Sequence, residues 1–178
     1  MMKMFRSLIS VMRDKKLDEG LGQVEFVVFD FDGVFTDNTV YVDQNGVESV
    51  RCWRGDGLGL EMLRKRGVEL AVVSTETNPV VAARCKKLNL RCVHGVTNKA
   101  LAIEELCKEL NVKLEKTCFL GNDRNDIEAL EIVGFPAIVA DADKSVEQFA
   151  QIKTRLAGGF GAVRELCELI SAAVDENL

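Results

Sequence analysis

A chain of 178 residues, 47% hydrophobic and 29% charged, is long enough for one domain with a sizeable core and has the make-up of a soluble globular protein. Its net charge of −5 and pI near 5.1 argue against a nucleic-acid-binding surface, which shows as a basic patch. No apolar run is long enough to span a bilayer. The six cysteines form no C-x-x-C pair and there is one histidine, His94, so a zinc site is disfavoured and a reducing, cytoplasmic setting is expected.

The first twenty residues read as an amphipathic helix with Phe5, Leu8, Ile9 and Met12 on one face, rather than as a signal peptide, because Arg6, Arg13 and Asp14 interrupt the apolar stretch. We take residues 1–22 as an N-terminal extension and 23–178 as the domain. "VEFVVFD" (24–30) predicts a buried strand. Residues 39–53 hold two alternating segments around Asn45-Gly46, a strong hairpin signal. A helix over 57–67, closing on Gly67, leads to a second buried strand, "VELAVVST" (68–75). Asn78 and Pro79 open a helix over 78–89. A short strand "LRCVHG", a helix over 97–111, a strand over 116–123, a helix over 125–134 and a strand over 135–141 follow. A short helix over 144–150 and a final helix over 159–174 complete the chain.

Strands that are continuously apolar, alternating with helices, predict an α/β fold with a parallel sheet flanked by helices. Such sheets bind ligands beyond the carboxyl ends of their strands. Those ends carry Asp30 and Asp32, Ser74, Asn122 and Asp123, and Asp141. Carboxylates gathered at the end of a buried strand need a cationic partner. Mg²⁺ suits such an oxygen-rich group, with Asp30, Asn122, Asp123 and Asp126 as candidate ligands, and Lys99 serves the same end. Ser74 adds a hydroxyl, and the N–H groups around Asp32-Gly33 and Ser74-Thr75 can form an anion nest. Together these make a phosphate site. Asp30 is placed to attack phosphorus, and Asp32 to protonate the leaving alcohol and then activate water.

"DFDGVFTD" resembles the first motif of the haloacid dehalogenase (HAD) phosphatase superfamily. Ser74 after "ELAVV", Lys99, and "GNDRND" (121–126) resemble its second, third and fourth motifs, in order. The resemblance implies a Rossmann-like fold. It makes Asp30 the nucleophile that forms an aspartyl-phosphate, Asp32 the general acid/base, and Ser74 and Lys99 the phosphate ligands. It implies Mg²⁺ held by Asp30, the Asp32 carbonyl and motif four. Asn122 departs from the pattern, since close relatives usually carry a Mg²⁺-binding aspartate there.

Between motifs one and two there is room only for a hairpin and a helix. With "RLAGGFGAVRE" (155–165), this is similar to the capless subgroup, which includes phosphatases of octulosonate 8-phosphate and nonulosonate 9-phosphate sugar acids. The subgroup implies a homotetramer in which one subunit's hairpin flap shapes a neighbour's site. Glu76 in "STE" replaces the arginine of octulosonate enzymes, and Gly55 stands where they carry an arginine; both lean towards a nine-carbon substrate. Gly33, Thr75, Glu76 and Asp37 join the substrate-binding candidates. Arg155 and Arg164 are candidates for the substrate carboxylate, since arginine pairs with carboxylates in bidentate fashion. Ordinary structural roles compete: Asp37 as a turn cap, Asp126 as a helix N-terminal carboxylate, His94 as structural, Trp53 and Tyr41 as interface residues. The expected function is a Mg²⁺-dependent phosphatase of a 3-deoxy-2-ulosonic acid phosphate, nonulosonate 9-phosphate first. The alternative is a non-catalytic oligomerisation or regulatory module like the capless domain fused to some N-acylneuraminate cytidylyltransferases.

Overall fold

The computed structural model describes residues 20–176. The expected helix with Phe5, Leu8, Ile9 and Met12 lies outside the described residues. Six strands form one parallel sheet in the order β5-β4-β1-β6-β7-β8. They are β1 (Phe26–Phe29), β4 (Glu69–Ser74), β5 (Arg91–His94), β6 (Thr117–Gly121), β7 (Phe135–Ile138) and β8 (Ile152–Lys153). Successive β1 side chains enter opposite layers, as a strand's period of two requires. Val27 and Phe29 join Leu60, Leu63, Leu166 and Ile170, while Phe26 and Val28 join Ile103, Leu106 and Leu130. A strand buried on both faces has no polar side to show, which is why β1 reads as an unbroken apolar run.

The covering helices are α1 (Asp56–Arg64), α2 (Val80–Leu88), α3 (Lys99–Leu110), α4 (Ile127–Ile132) and α5 (Ala162–Glu176). Only a hairpin and α1 separate β1 from β4, so no cap domain is present there. The hairpin, β2 (Thr36–Val42) and β3 (Glu48–Cys52), is a separate two-stranded sheet. Its turn is tied by Asp43, whose Oδ1 accepts from Asn45 N at 2.8 Å and Val47 N at 2.9 Å, with Gly46 at φ 78°. β2 begins earlier than the alternation suggests. An irregularity between Thr36 and Val40, with Asn38 at φ 60°, interrupts the period of two.

Three segments differ from expectation. Residues Lys144–Phe149 form a 3₁₀ helix, not an α-helix. The helix expected over 125–134 starts only at Ile127, because Arg124–Asp126 is a 3₁₀ turn closed by a capping box between Asp123 and Asp126. β8 has two residues and is too short for a periodic signal.

α1 and α5 pack closely at Gly59, where an added Cβ would lie 3.0 Å from Arg164 Cα. Asp56, fully buried, joins the same pair: its Oδ1 accepts from Arg164 N at 3.3 Å, and its Oδ2 has no partner. Burial pushes the Asp56 carboxyl up to about 7, against the Arg164 N–H and the Arg84 and Arg164 cations. A native pKa raised above the unfolded value means that stability is full below about pH 4 and is lost as pH rises towards 7, by up to about 4 kcal/mol. Asp56→Asn removes this slope. Its melting temperature relative to wild type therefore rises between pH 5 and pH 8, as thermal melts at both pH values would read.

Candidate active site

Register alone brings the motifs together. Phe29 pairs with Val72 on one side and with Leu120 on the other. Asp30, Ser74 and Gly121-Asn122 therefore leave the sheet side by side at the carboxyl edge. Lys99 comes from the first turn of α3, whose start is set by Asn98: its side chain accepts from Leu101 N at 3.0 Å.

Lys99 Nζ lies 2.8 Å from Asp30 Oδ1 and 2.6 Å from Asp126 Oδ1, with all three side chains nearly sealed from water. Burial, and then Asp126, push the Asp30 carboxyl up to about 7, while Lys99 pulls it down. Burial works against the Lys99 charge too, but Asp30 and Asp126 hold its pKa above the ordinary value. Lys99 is thus a fixed cation.

Asp126, grouped with the metal ligands on sequence, has another role here. Its Oδ2 accepts from Asn122 N at 2.7 Å and Asp123 N at 3.1 Å, and its Oδ1 holds Lys99. Both oxygens are occupied by donors, so it orients the lysine and the motif-four loop. Asp123 is exposed and caps the 3₁₀ turn, accepting from Arg124 N at 2.7 Å. Asp126 is joined to Asp30 through Lys99.

Asp32 is half-buried at the mouth of the site. Burial and then the Glu76 carboxylate raise its pKa, a shift that favours the protonated form needed in a general acid. Gly33 turns the chain at φ 75°, and its N–H donates to Thr36 Oγ1 at 3.1 Å. A Cβ there would fall 2.1 Å from Asn122 Nδ2, so only glycine lets the two loops meet. Ser74, buried, accepts from Glu76 N at 3.1 Å, which leaves its hydroxyl proton to donate. Thr75 Oγ1 accepts from Asn125 Nδ2 at 3.4 Å. Glu76 Oε1 accepts from Thr77 N and Asn78 N, both at 2.7 Å.

A cleft of about 240 Å³ opens beside Asp32, lined by Asn38, Val40, Glu48, Val50, Glu76, Asn78 and Val80. Asn38 and Glu48 are not among the sequence candidates, and Asn78 is expected there only as the start of a helix. The alternation Asn38/Val40 and Glu48/Val50 marks one face of the hairpin, and that was the signal available. Asp37 lies off this cleft, paired with Arg51 at 2.7 Å and accepting from Thr39 Oγ1 at 2.5 Å. Arg155 pairs with Glu165 at 2.6 Å and Arg164 with Glu168 at 2.8 Å. No hydrogen bond or ion pair among the described residues joins either arginine to Asp30, Asp32, Ser74 or Lys99. A second cleft of about 240 Å³, near Gln23, Arg66 and Lys116, lies at the opposite edge of the sheet.

The fit to a metal turns on Asn122, 7% exposed. One end of its amide lies 3.0 Å from the Asp32 carbonyl oxygen and 3.3 Å from Asp30 Oδ2. With the amide oxygen at that end, three oxygens converge with no donor among them. Octahedral Mg²⁺–oxygen bonds of about 2.1 Å place neighbouring ligands about 3 Å apart, so the spacing fits. No group of three His, Cys, Asp or Glu side chains suited to a metal occurs among the described residues. The donor set is one carboxylate, one amide and one carbonyl. That is normal for Mg²⁺, which keeps waters and substrate oxygens.

Residues 70–159 match the haloacid dehalogenase-like hydrolase family. The chain is 32% identical over 151 residues to the 3-deoxy-D-manno-octulosonate 8-phosphate phosphatase of Escherichia coli K12, covering 84% of this chain and 80% of that one. The chain belongs to the haloacid dehalogenase-like hydrolase family. Among solved structures, a HAD family hydrolase from Streptomyces avermitilis is 42% identical with a TM-score of 0.82, over 86% of this chain and 88% of that one. The Moraxella catarrhalis octulosonate 8-phosphate phosphatase, solved with a magnesium ion, a phosphate ion and a KDO molecule, is 28% identical with a TM-score of 0.87, over 93% and 97%. This HAD chain is a phosphoric monoester hydrolase by type, and no helix among its described residues is long and apolar enough to cross a membrane.

Removing the buried cation tests the site. Lys99→Met leaves Asp30 and the Oδ1 of Asp126 without their buried cation, and one-sided loss of a buried pair costs about 3–5 kcal/mol. Urea unfolding is expected to show a loss of that size, together with loss of phosphate release.

Proposed function

We propose that this protein is a Mg²⁺-dependent phosphatase that hydrolyses the phosphate monoester of a 3-deoxy-2-ulosonic acid. The observation that carries the reading is the Asp30–Lys99–Asp126 chain beside the Asp32 cleft. Lys99 fixes Asp30 and adds positive charge where a phosphoryl group is drawn in, and Ser74 donates a hydroxyl to it. Asp30 attacks phosphorus and forms an aspartyl-phosphate as the bond to the sugar oxygen breaks. Asp32 gives its proton to that oxygen. Asp32, now ionised, takes a proton from water, whose oxygen attacks phosphorus; Asp30 is freed and inorganic phosphate leaves. Mg²⁺, held by Asp30, the Asp32 carbonyl and Asn122, would neutralise phosphoryl charge.

The substrate class is supported by the relatives, whose names give octulosonate 8-phosphate. Within the class, the nine-carbon nonulosonate 9-phosphate is our preferred substrate. Glu76, on the cleft wall, supports it, as does Gly55. With Glu48, Glu76 and Asn78 around it, the cleft is rich in acceptors for hydroxyl and amide N–H groups and holds no cation for a carboxylate. Arg155 or Arg164 would meet the carboxylate only after leaving its present partner. A homotetramer goes with this reading. The hairpin leaves Val40, Tyr41, Val42 and Val47 more than half exposed, an apolar surface suited to a neighbouring copy. Residues 1–22 would be an N-terminal extension of the catalytic domain, with Leu21 packed into the core. Against the non-catalytic alternative stand Asp30 and Asp32, both retained and both held in place.

Phosphate release with Mg²⁺ from octulosonate 8-phosphate and a nonulosonate 9-phosphate, compared as kcat/KM, is the test. A higher value for the nine-carbon acid is expected, with both activities lost in Asp30→Asn. The reverse order would overturn the Glu76 argument and keep the class. Inertness towards both would overturn the class.

A further inference from the structure

Asn122 stands at the end of β6 with its backbone held on both sides. Its N–H donates to Asp126 at 2.7 Å, and its carbonyl accepts from Asp143 N at 2.8 Å. Only the side chain is free to change. The two ends of a carboxamide have nearly the same size, so its hydrogen-bond partners decide which end faces where. With the oxygen facing Asp30 Oδ2 and the Asp32 carbonyl, the group of acceptors needs a cation. Turned by half a rotation, the nitrogen donates to the Asp32 carbonyl at 3.0 Å and to Asp30 Oδ2 at 3.3 Å. The same two oxygens are then satisfied by the protein itself. The far end of the amide lies against Gly33, where the absence of a Cβ leaves the space that either end requires.

We propose that Asn122 is a metal-linked rotor: its amide N–H₂ closes the Asp30–Asp32 oxygen site in the metal-free protein, and its amide oxygen turns in when Mg²⁺ binds. The inference rests on the Mg²⁺ reading above. An aspartate at this position has acceptors at both ends. It adds a second carboxylate beside buried Asp30, so the metal-free pair is satisfied only by taking up a proton. Asparagine gives up part of the metal's electrostatic attraction in return for a stable metal-free protein. Mg²⁺ must displace two hydrogen bonds to enter, so affinity falls while the fold no longer depends on the metal.

The test is the side-chain amide signal of Asn122 in the ¹⁵N-labelled full chain, assigned by its absence in Asn122→Asp, or in Asn122→Ser if the aspartate variant does not fold. In the metal-free protein the pair should exchange slowly with water. Saturating Mg²⁺ alone should shift it and speed its exchange about tenfold or more as two hydrogen bonds are lost. Calorimetric titration of Mg²⁺ runs alongside, with Asn122→Asp expected to bind about tenfold tighter or more, since ligand charge sets affinity. Metal-free Asn122→Asp should melt below wild type. Mg²⁺ binding that leaves the amide pair unmoved, or a pair that exchanges quickly before Mg²⁺ is added, overturns the rotor and leaves the phosphatase reading standing. No Mg²⁺ binding by the wild type overturns both.

Discussion

A lysine buried between two carboxylates is the constraint on which the rest depends. Lys99 lies within 2.8 Å of both Asp30 and Asp126 and is almost sealed from water. A charge so placed is tolerable only if its partners are held rigidly, because losing one leaves an unpaired ion in a poorly solvated site. The fold supplies the rigidity. Asp30 follows β1 at the centre of the sheet, Lys99 is fixed by the capped start of α3, and Asp126 is clamped by the N–H groups of its own loop. The same rigidity would present Asp30 for the attack proposed above without a reorganisation step.

Around this chain of charges the protein spends polar groups sparingly. The strands that carry the site are buried on both faces, so polar atoms appear only where the sheet ends. The hairpin then adds what the short connection between β1 and β4 has room for: one wall of a cleft. Glu48 from the hairpin and Glu76 from the loop after β4 face it near Asp32. Glu76 also raises the Asp32 pKa, second to burial, so the cleft wall and the acid that it adjoins are electrostatically linked.

Most of the scaffold was legible in the chain. Continuous apolar runs marked the buried strands, Asn45-Gly46 marked the hairpin turn, and the order of Asp30, Ser74, Lys99 and Asn122 along the chain matched strand and helix ends. The boundaries were less legible. β2 starts at an irregularity that breaks the period of two, and the motif-four loop spends Asp123 through Asp126 on a 3₁₀ turn before α4 begins. Capping geometry of that kind is a competition between backbone and side-chain hydrogen bonds, and composition does not decide it.

The sequence by itself determined the parallel α/β architecture and the residues at its carboxyl edge, because periodicity and strand polarity are local properties of the chain. Tertiary structure decided what those residues do to one another. Only the fold shows that Asp126 is saturated by Lys99 and two N–H groups, that Asp123 faces outward, that Arg155 and Arg164 are engaged with glutamates, and that Asn122 meets Asp30 across the Gly33 turn. The physical reason is the range of the interactions. A carboxylate's role depends on which donors lie within about 3 Å of each oxygen, and those donors come from segments far apart in the chain.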